Sequence, residues 1–208
     1  MLEKDMSEFE FTNNWFQDSA RANWDQLVPQ INPARILEIG SFEGASTCYM
    51  LQKTAGDTEI HCVDTWEGGI EHDTVDMNSV EQRFDRNVAV ATSRAAGRVN
   101  LVKHKGFSDL MLARLLAEGK RNYFDWIYVD GSHQAPDVLF DAVASFRLLR
   151  VGGMLVFDDY LWAENLPTGK DPIRCPKPAI DAFTNLYCRK LQLLSAPLYQ
   201  LYAIKLSD

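Results

Sequence analysis

Five short apolar runs recur along the chain, separated by amphipathic stretches long enough to be helices. They are ARILEIG (34–40), EIHCVDT (59–65), RVNLVKH (98–104), FDWIYVD (124–130) and GGMLVFDD (152–159). Several are apolar almost throughout, as a strand must be when helices cover both faces of a parallel sheet. The stretches at roughly 44–54, 79–91, 107–119 and 136–149 read as the covering helices. The last is the clearest, because Leu139, Val143, Phe146 and Leu149 fall on one stripe. Pro136 suits a first helical turn, and Asp137 opposes the positive end of the helix dipole. The glycines of RVGG (150–153) then permit a sharp reversal that ends the helix.

Alternation of this kind predicts a doubly wound α/β sheet. The C-terminal LQLLSAPLYQLYAIKL (191–206) departs from it, with two apolar runs joined by a Ser-Ala-Pro turn. It predicts a hairpin that pairs antiparallel at the sheet edge and brings the count to seven strands. PKPAIDAFTNLY (176–187) starts a helix whose Ile180, Phe183 and Tyr187 face the core. Residues 1–30, with Trp15, Phe16 and Trp24, are expected to form a helical extension on one domain of residues 31–208. No repeat and no Gly/Ser or Pro-rich linker divides the chain.

In an open α/β sheet, ligands bind beyond the carboxyl ends of the strands. Glu38, Asp64, Asp130 and the pair Asp158–Asp159 lie at those ends and would share one rim. So much negative charge on one edge is costly unless cations offset it. The whole chain points the same way, with a net charge of −8 and a sequence pI near 5.0. That balance argues against nucleic-acid or anionic-membrane partners. No run approaches the ~18 apolar residues of a membrane span, and the N-terminus has no signal-like apolar core. Cys48, Cys62, Cys175 and Cys188 form no CxxC pair or metal-like cluster, so reduced thiols in a cytoplasmic protein are expected.

LEIGSFEGAS (37–46) closes the first strand and opens the first helix. Its glycines are spaced G-x-x-x-G, unlike the G-x-G-x-x-G of dinucleotide folds. Glu43 stands where a pyrophosphate would need neutral or positive surroundings. Here the chain resembles the class I S-adenosylmethionine-dependent methyltransferases, which implies a Rossmann-like fold. By that resemblance Glu38, Gly40, Ser41, Gly44 and Ser46 line the cofactor site. Asp64, in VDTWEGG, matches the acid that accepts the ribose hydroxyls, and Phe107 and Ser108 of KGFSD (105–109) would lie near the adenine.

IYVDGSHQAPD (127–137) and LVFDDYLW (155–162) narrow the resemblance to metal-dependent O-methyltransferases. These include the catechol enzymes and the bacterial macrolide-sugar and cephalosporin branch. The resemblance implies that Asp130, Asp158 and Asp159 hold one divalent cation, most simply magnesium, with Asp130 also bordering the cofactor. Three carboxylates on neighbouring strand ends suit a hard cation. His133 stands where the catechol enzymes carry a lysine and is the candidate base. The expected reaction is methylation of a small hydroxylated acceptor. Two alternatives stay open: a metal-independent N- or O-methyltransferase, and a module that binds the cofactor without turnover.

Loops 66–80 and 160–178 are expected to shape the acceptor pocket, with Glu71, His72, Trp66, Tyr160 and Trp162 as candidate walls. His61 and His104 are expected to be structural. The aromatic extension is a candidate contact surface for a homo-oligomer.

Overall fold

A computed structural model describes residues 8–69, 72, 75–164 and 166–208. Its centre is a seven-stranded sheet in the order β3-β2-β1-β4-β5-β7-β6. Strands β1 (Arg35–Ile39), β2 (Thr58–Asp64), β3 (Val99–Lys105), β4 (Phe124–Val129) and β5 (Leu149–Phe157) are parallel. The last two, β6 (Leu191–Leu193) and β7 (Leu201–Lys205), run antiparallel at the edge. The expected fold class is the observed one. Residues 194–200 join β6 to β7, a longer connection than the Ser-Ala-Pro turn suggested.

Both faces of the sheet are covered, which explains the unbroken apolarity of β4. Its Trp126 and Tyr128 pack with Trp24, Tyr49, Phe84 and Tyr202. On the other face Phe124, Ile127 and Val129 pack with Leu112, Phe146, Ile180 and Phe183. The first layer draws on helices α1 (Trp15–Ser19), α2 (Arg21–Ile31), α3 (Ala45–Lys53) and α4 (Val80–Arg94). The second draws on α5 (Ser108–Ala117), α6 (Ala135–Leu148) and α7 (Lys177–Leu186).

One expectation needs correction: RVGG lies inside β5 and does not close a helix. Helix α6 stops at Leu148, and the β4–β5 register jumps from Phe124↔Leu149 to Trp126↔Met154. Gly152 takes a φ of +77°, and a Cβ on Gly153 would fall 2.7 Å from Leu149 Cδ1. The glycines therefore serve a bulge. The aromatics of the N-terminal helices divide between surface and core, with Trp15 exposed. Phe16 and Trp24 are core residues, and the Trp24 ring stands edge-on to Trp126 at 5.1 Å and Tyr128 at 4.8 Å. Aromatic side chains of this size dominate core energetics, so the extension is built into the domain.

The strand order reverses direction between β1 and β4, and a crevice opens there beyond their carboxyl ends. No described helix is long and apolar enough to cross a membrane.

Candidate active site

A cavity of about 1280 Å³ occupies that crevice. The loop after β1 forms its floor. Gly40 donates its N–H to the Val63 carbonyl at 2.8 Å, and Asp130 donates its own to the Ile39 carbonyl at 2.8 Å. These bonds press the loop onto the backbone of Asp130. A Cβ on Gly40 would lie 1.9 Å from the Asp130 carbonyl oxygen, and its φ is +83°. Only glycine fits that contact.

Three acids hold the loop from behind. Asp64 Oδ2 accepts from the N–H groups of Ser41 (2.7 Å) and Phe42 (2.8 Å), while its Oδ1 accepts from Trp66 N–H at 2.6 Å. Glu38 is buried and accepts from the hydroxyls of Ser46 and Thr47. Burial raises its pKa, against the lowering effect of those hydroxyls. Glu43 is bound by Arg83 and by the backbone and hydroxyl of Thr12, so it ties the N-terminal segment to the loop.

The rim beyond β4 and β5 carries the candidate reactive groups. Asp130, His133 and Asp159 each offer a ligand atom within 4.8 Å of the others. His133 Nε2 lies 3.0 Å from Asp159 Oδ2, and its ring packs on Trp162 at 4.4 Å between centroids. Asp158 is turned differently. It accepts from the Tyr128 hydroxyl and, through Oδ1, from the Asp159 N–H at 2.8 Å. Burial raises the Asp130 pKa well above the carboxylate range, and the charges of Asp158 and Asp159 raise it further. Burial, then Asp159, lifts Asp158 to about 6. Carboxyls raised in this way mark negative charge that the protein itself leaves uncompensated.

Gly40, Ser41, Ser46, Asp64, Phe107, Ser108, Asp130, His133, Asp158 and Asp159 all line the cavity. Glu38 and Gly44 do not. Glu38 braces the first turn of α3 from within the core, and Gly44, with a φ of +80°, faces Phe84. Of the aspartates expected to share a cation, Asp130 and Asp159 stand with His133 in this group, and Asp158 lies next to them, bonded to Tyr128.

Among the loop aromatics, Trp162 and His72 reach the cavity. Trp66 is instead buried against Phe84, and the Tyr160 hydroxyl donates to Asp181. Glu71 lies outside the described residues. His61 Nδ1 and His104 Nε2 meet at 2.8 Å, and neither residue lines the cavity. Two walls went unread in the sequence: the N-terminal residues Trp15, Ser19 and Asn23, and Pro197 with Tyr199 from the β6–β7 connection. The density of aromatics in the first thirty residues was the available signal for the first.

A family model described as a methyltransferase domain matches residues 37–160, from β1 to just beyond Asp159. Uncharacterized protein R132 of Acanthamoeba polyphaga mimivirus is 26% identical over 128 residues, 60% of this chain and 50% of that relative. The match thus spans half the relative's length. Among solved structures, the O-methyltransferase TomG from Streptomyces achromogenes, in complex with SAM, gives a TM-score of 0.62 at 16% identity. The alignment covers 97% of this chain and 94% of TomG. An O-methyltransferase from Bacillus cereus, in complex with SAH, gives 0.61 at 18% identity, with 98% and 97% covered. At such identities the likeness is one of fold.

Proposed function

Because this chain belongs to the methyltransferase domain family, we propose that it transfers the methyl group of S-adenosylmethionine to a hydroxyl oxygen of a small acceptor. One observation carries the proposal: Asp130, His133 and Asp159 converge at the rim while the backbone of Asp130 rests on Gly40 of the glycine loop. Reacting groups and cofactor cradle are thereby held in fixed relation, which is the positional advantage a two-substrate transfer needs. The acceptor oxygen attacks the methyl carbon, the carbon–sulfur bond breaks toward sulfur, and the sulfonium becomes a neutral thioether. His133 takes the hydroxyl proton, with Asp159 at 3.0 Å to orient the ring and stabilise the imidazolium. Asp64, by fixing the Ser41 and Phe42 amides, keeps the cradle open beside it.

The donor set of Asp130, Asp159 and His133 would also fit a divalent cation, with two hard oxygens and one imidazole nitrogen; His133 would then be a ligand and not the base. Its nitrogen widens the choice from magnesium to manganese, iron or zinc. A cation held there supplies Lewis-acid lowering of the hydroxyl pKa. The contact between His133 and Asp159 favours a second reading, in which this pair alone serves as the base and no ion is required. A reducing, cytoplasmic setting accords with four cysteines that are all free thiols.

The test is methyl transfer from labelled S-adenosylmethionine to a pool of hydroxylated compounds, before and after chelation. Turnover lost on chelation and restored by manganese or magnesium supports the cation. Full turnover after chelation sinks it and leaves the His133–Asp159 base. Tight cofactor binding with no transfer to any compound would instead favour a module that binds without turnover.

A further inference from the structure

We infer that Arg83, on α4 and outside the cavity, is a positioning residue for the cofactor: it latches the N-terminal segment against the glycine loop. The inference rests on the methyl-transfer reading of the cavity that this segment walls. The guanidinium serves three stretches of chain. It donates to the Glu43 carboxylate of the glycine loop, to the Ser79 hydroxyl and, at 3.4 Å, to the Asp76 carbonyl. Glu43 is 2% exposed and also accepts from the Thr12 N–H at 2.7 Å and the Thr12 hydroxyl at 2.9 Å. One turn along α4, the fully buried Asn87 reinforces the same join. Its side-chain amide accepts from the Glu10 N–H (2.8 Å) and donates to the carbonyls of Glu10 (3.1 Å) and Glu43 (2.9 Å). Residues 8–12 thus follow α4 turn by turn. Glu8 pairs with Arg94, Glu10 meets Arg86 and Asn87, and Thr12 reaches Arg83 through Glu43.

The consequence lies on the other side of the segment. Phe11, Asn13, Trp15, Ser19 and Asn23 line the cavity, and Trp15 packs on Phe42 of the glycine loop at 5.4 Å between ring centroids. Neither Arg83 nor Asn87 lines it. Helix α1, which carries Trp15, is five residues long and has no side-chain cap at its start. A helix so short does not hold itself together, so its place depends on what anchors the chain on either side. Trp24 in the core is the anchor behind it, and the Thr12–Glu43–Arg83 chain is the anchor ahead. A buried carboxylate is stable only when paired and hydrogen-bonded, and Arg83 supplies the pair. Without it Glu43 is drawn toward water, and the segment it holds moves with it. A wall already in place spares the cofactor the cost of ordering it.

The experiment is calorimetric titration of the full chain with S-adenosylmethionine, well below the unfolding transition. Arg83→Gln should weaken binding at least about tenfold while the number of sites per chain stays at that of the parent. A purely architectural residue would instead lower the number of sites and leave the affinity of each unchanged, and that result overturns the inference. Thr12→Val removes one hydroxyl from Glu43, leaves Arg83 in place and should weaken binding about threefold. Should Arg83→Gln fail to fold, this variant decides: unchanged affinity overturns the inference. Arg86→Gln breaks only the exposed pair with Glu10 and should bind as the parent does. A loss there equal to that of Arg83→Gln would assign the effect to general loosening of the segment and overturn the role of Arg83. A parent chain that binds no S-adenosylmethionine overturns the methyl-transfer reading itself, and this inference with it. Equal affinity in parent and Arg83→Gln overturns the inference alone and leaves methyl transfer standing.

Discussion

Asp125 and Asp130 bracket β4, one near its start and one just past its end, and the protein treats them in opposite ways. Asp125 is buried, yet it accepts from the Ala34 N–H (3.0 Å), the Arg35 N–H (2.8 Å), the Arg35 side chain (3.3 Å) and Arg150 Nε (2.6 Å). Burial alone would raise its pKa, but Arg150 and the Arg35 and Ala34 amides outweigh burial and hold it below the ordinary value. Asp130 meets no arginine within the described residues, and the Tyr128 hydroxyl opposes the rise only in part. Burial raises it, and the neighbouring Asp158 and Asp159 raise it again. One strand thus carries a carboxylate whose charge the fold has answered and another left for something outside the protein to answer. The first is architecture, joining β1, β4 and the bulge in β5. The second lines the cavity.

Asp130→Asn breaks the comparison at its functional end. Methyl transfer should fall about a thousandfold, roughly 4 kcal/mol of transition-state stabilisation. Cofactor affinity should stay within about threefold and stability should not fall, because an uncompensated charge is removed. Steady-state kinetics with calorimetry of cofactor binding checks all three. Near wild-type turnover would place the chemistry elsewhere on the rim.

Asp125→Ala acts at the other end. It strands two arginines and two backbone donors, and should cost about 3 kcal/mol in urea unfolding. Turnover per folded molecule should not change. The sign with pH follows from the lowered pKa: Asp125 contributes stability above the unfolded carboxylate range, and the contribution is lost as pH falls through its folded pKa. The stability gap between variant and parent should therefore close in acid. A gap that stays constant with pH would mean the carboxylate's charge is not what holds the arginines.

The contrast explains which parts of the site were legible in the sequence. Burial on both faces makes strands continuously apolar, so five runs and their terminal acids could be located without a structure. Asp130 was legible because it ends such a run. The arrangement around it was not, because it depends on residues far away in the chain. Asp158 is bonded by Tyr128, thirty positions earlier, and His133 stands with Asp130 and Asp159. The start of β5 at Leu149 depends on a bulge beside Asp125, and a local reading of RVGG as a helix stop had no means to detect it. Trp66 and Trp162 both stand in loops after strands, but only packing against Phe84 separates the core tryptophan from the cavity one.

Asp141 sharpens the comparison, because it is buried and uncompensated like Asp130 but does not line the cavity. On α6, 1% exposed, it meets no cation within the described residues, and the unpartnered Ser145 hydroxyl lies one turn along. Burial raises its pKa to about 7, with Asp137 and Asp109 adding to the rise and Ser108 opposing it. A carboxyl with a raised folded pKa contributes its full stability below the unfolded pKa of ~3.9 and loses it as pH rises through the folded value. The native chain should therefore weaken between roughly pH 4 and pH 7 in a way that Asp141→Asn abolishes. The variant should gain about 1–2 kcal/mol at pH 8, less than the full shift implies, since the asparagine amide is buried without partners too. At pH 4 the two proteins should match. Urea midpoints of both at the two pH values isolate the group, because every other carboxyl is common to them. Turnover of the variant should be unchanged, and a large loss would show that an unanswered buried charge on this chain serves the reaction even where it cannot reach the substrate.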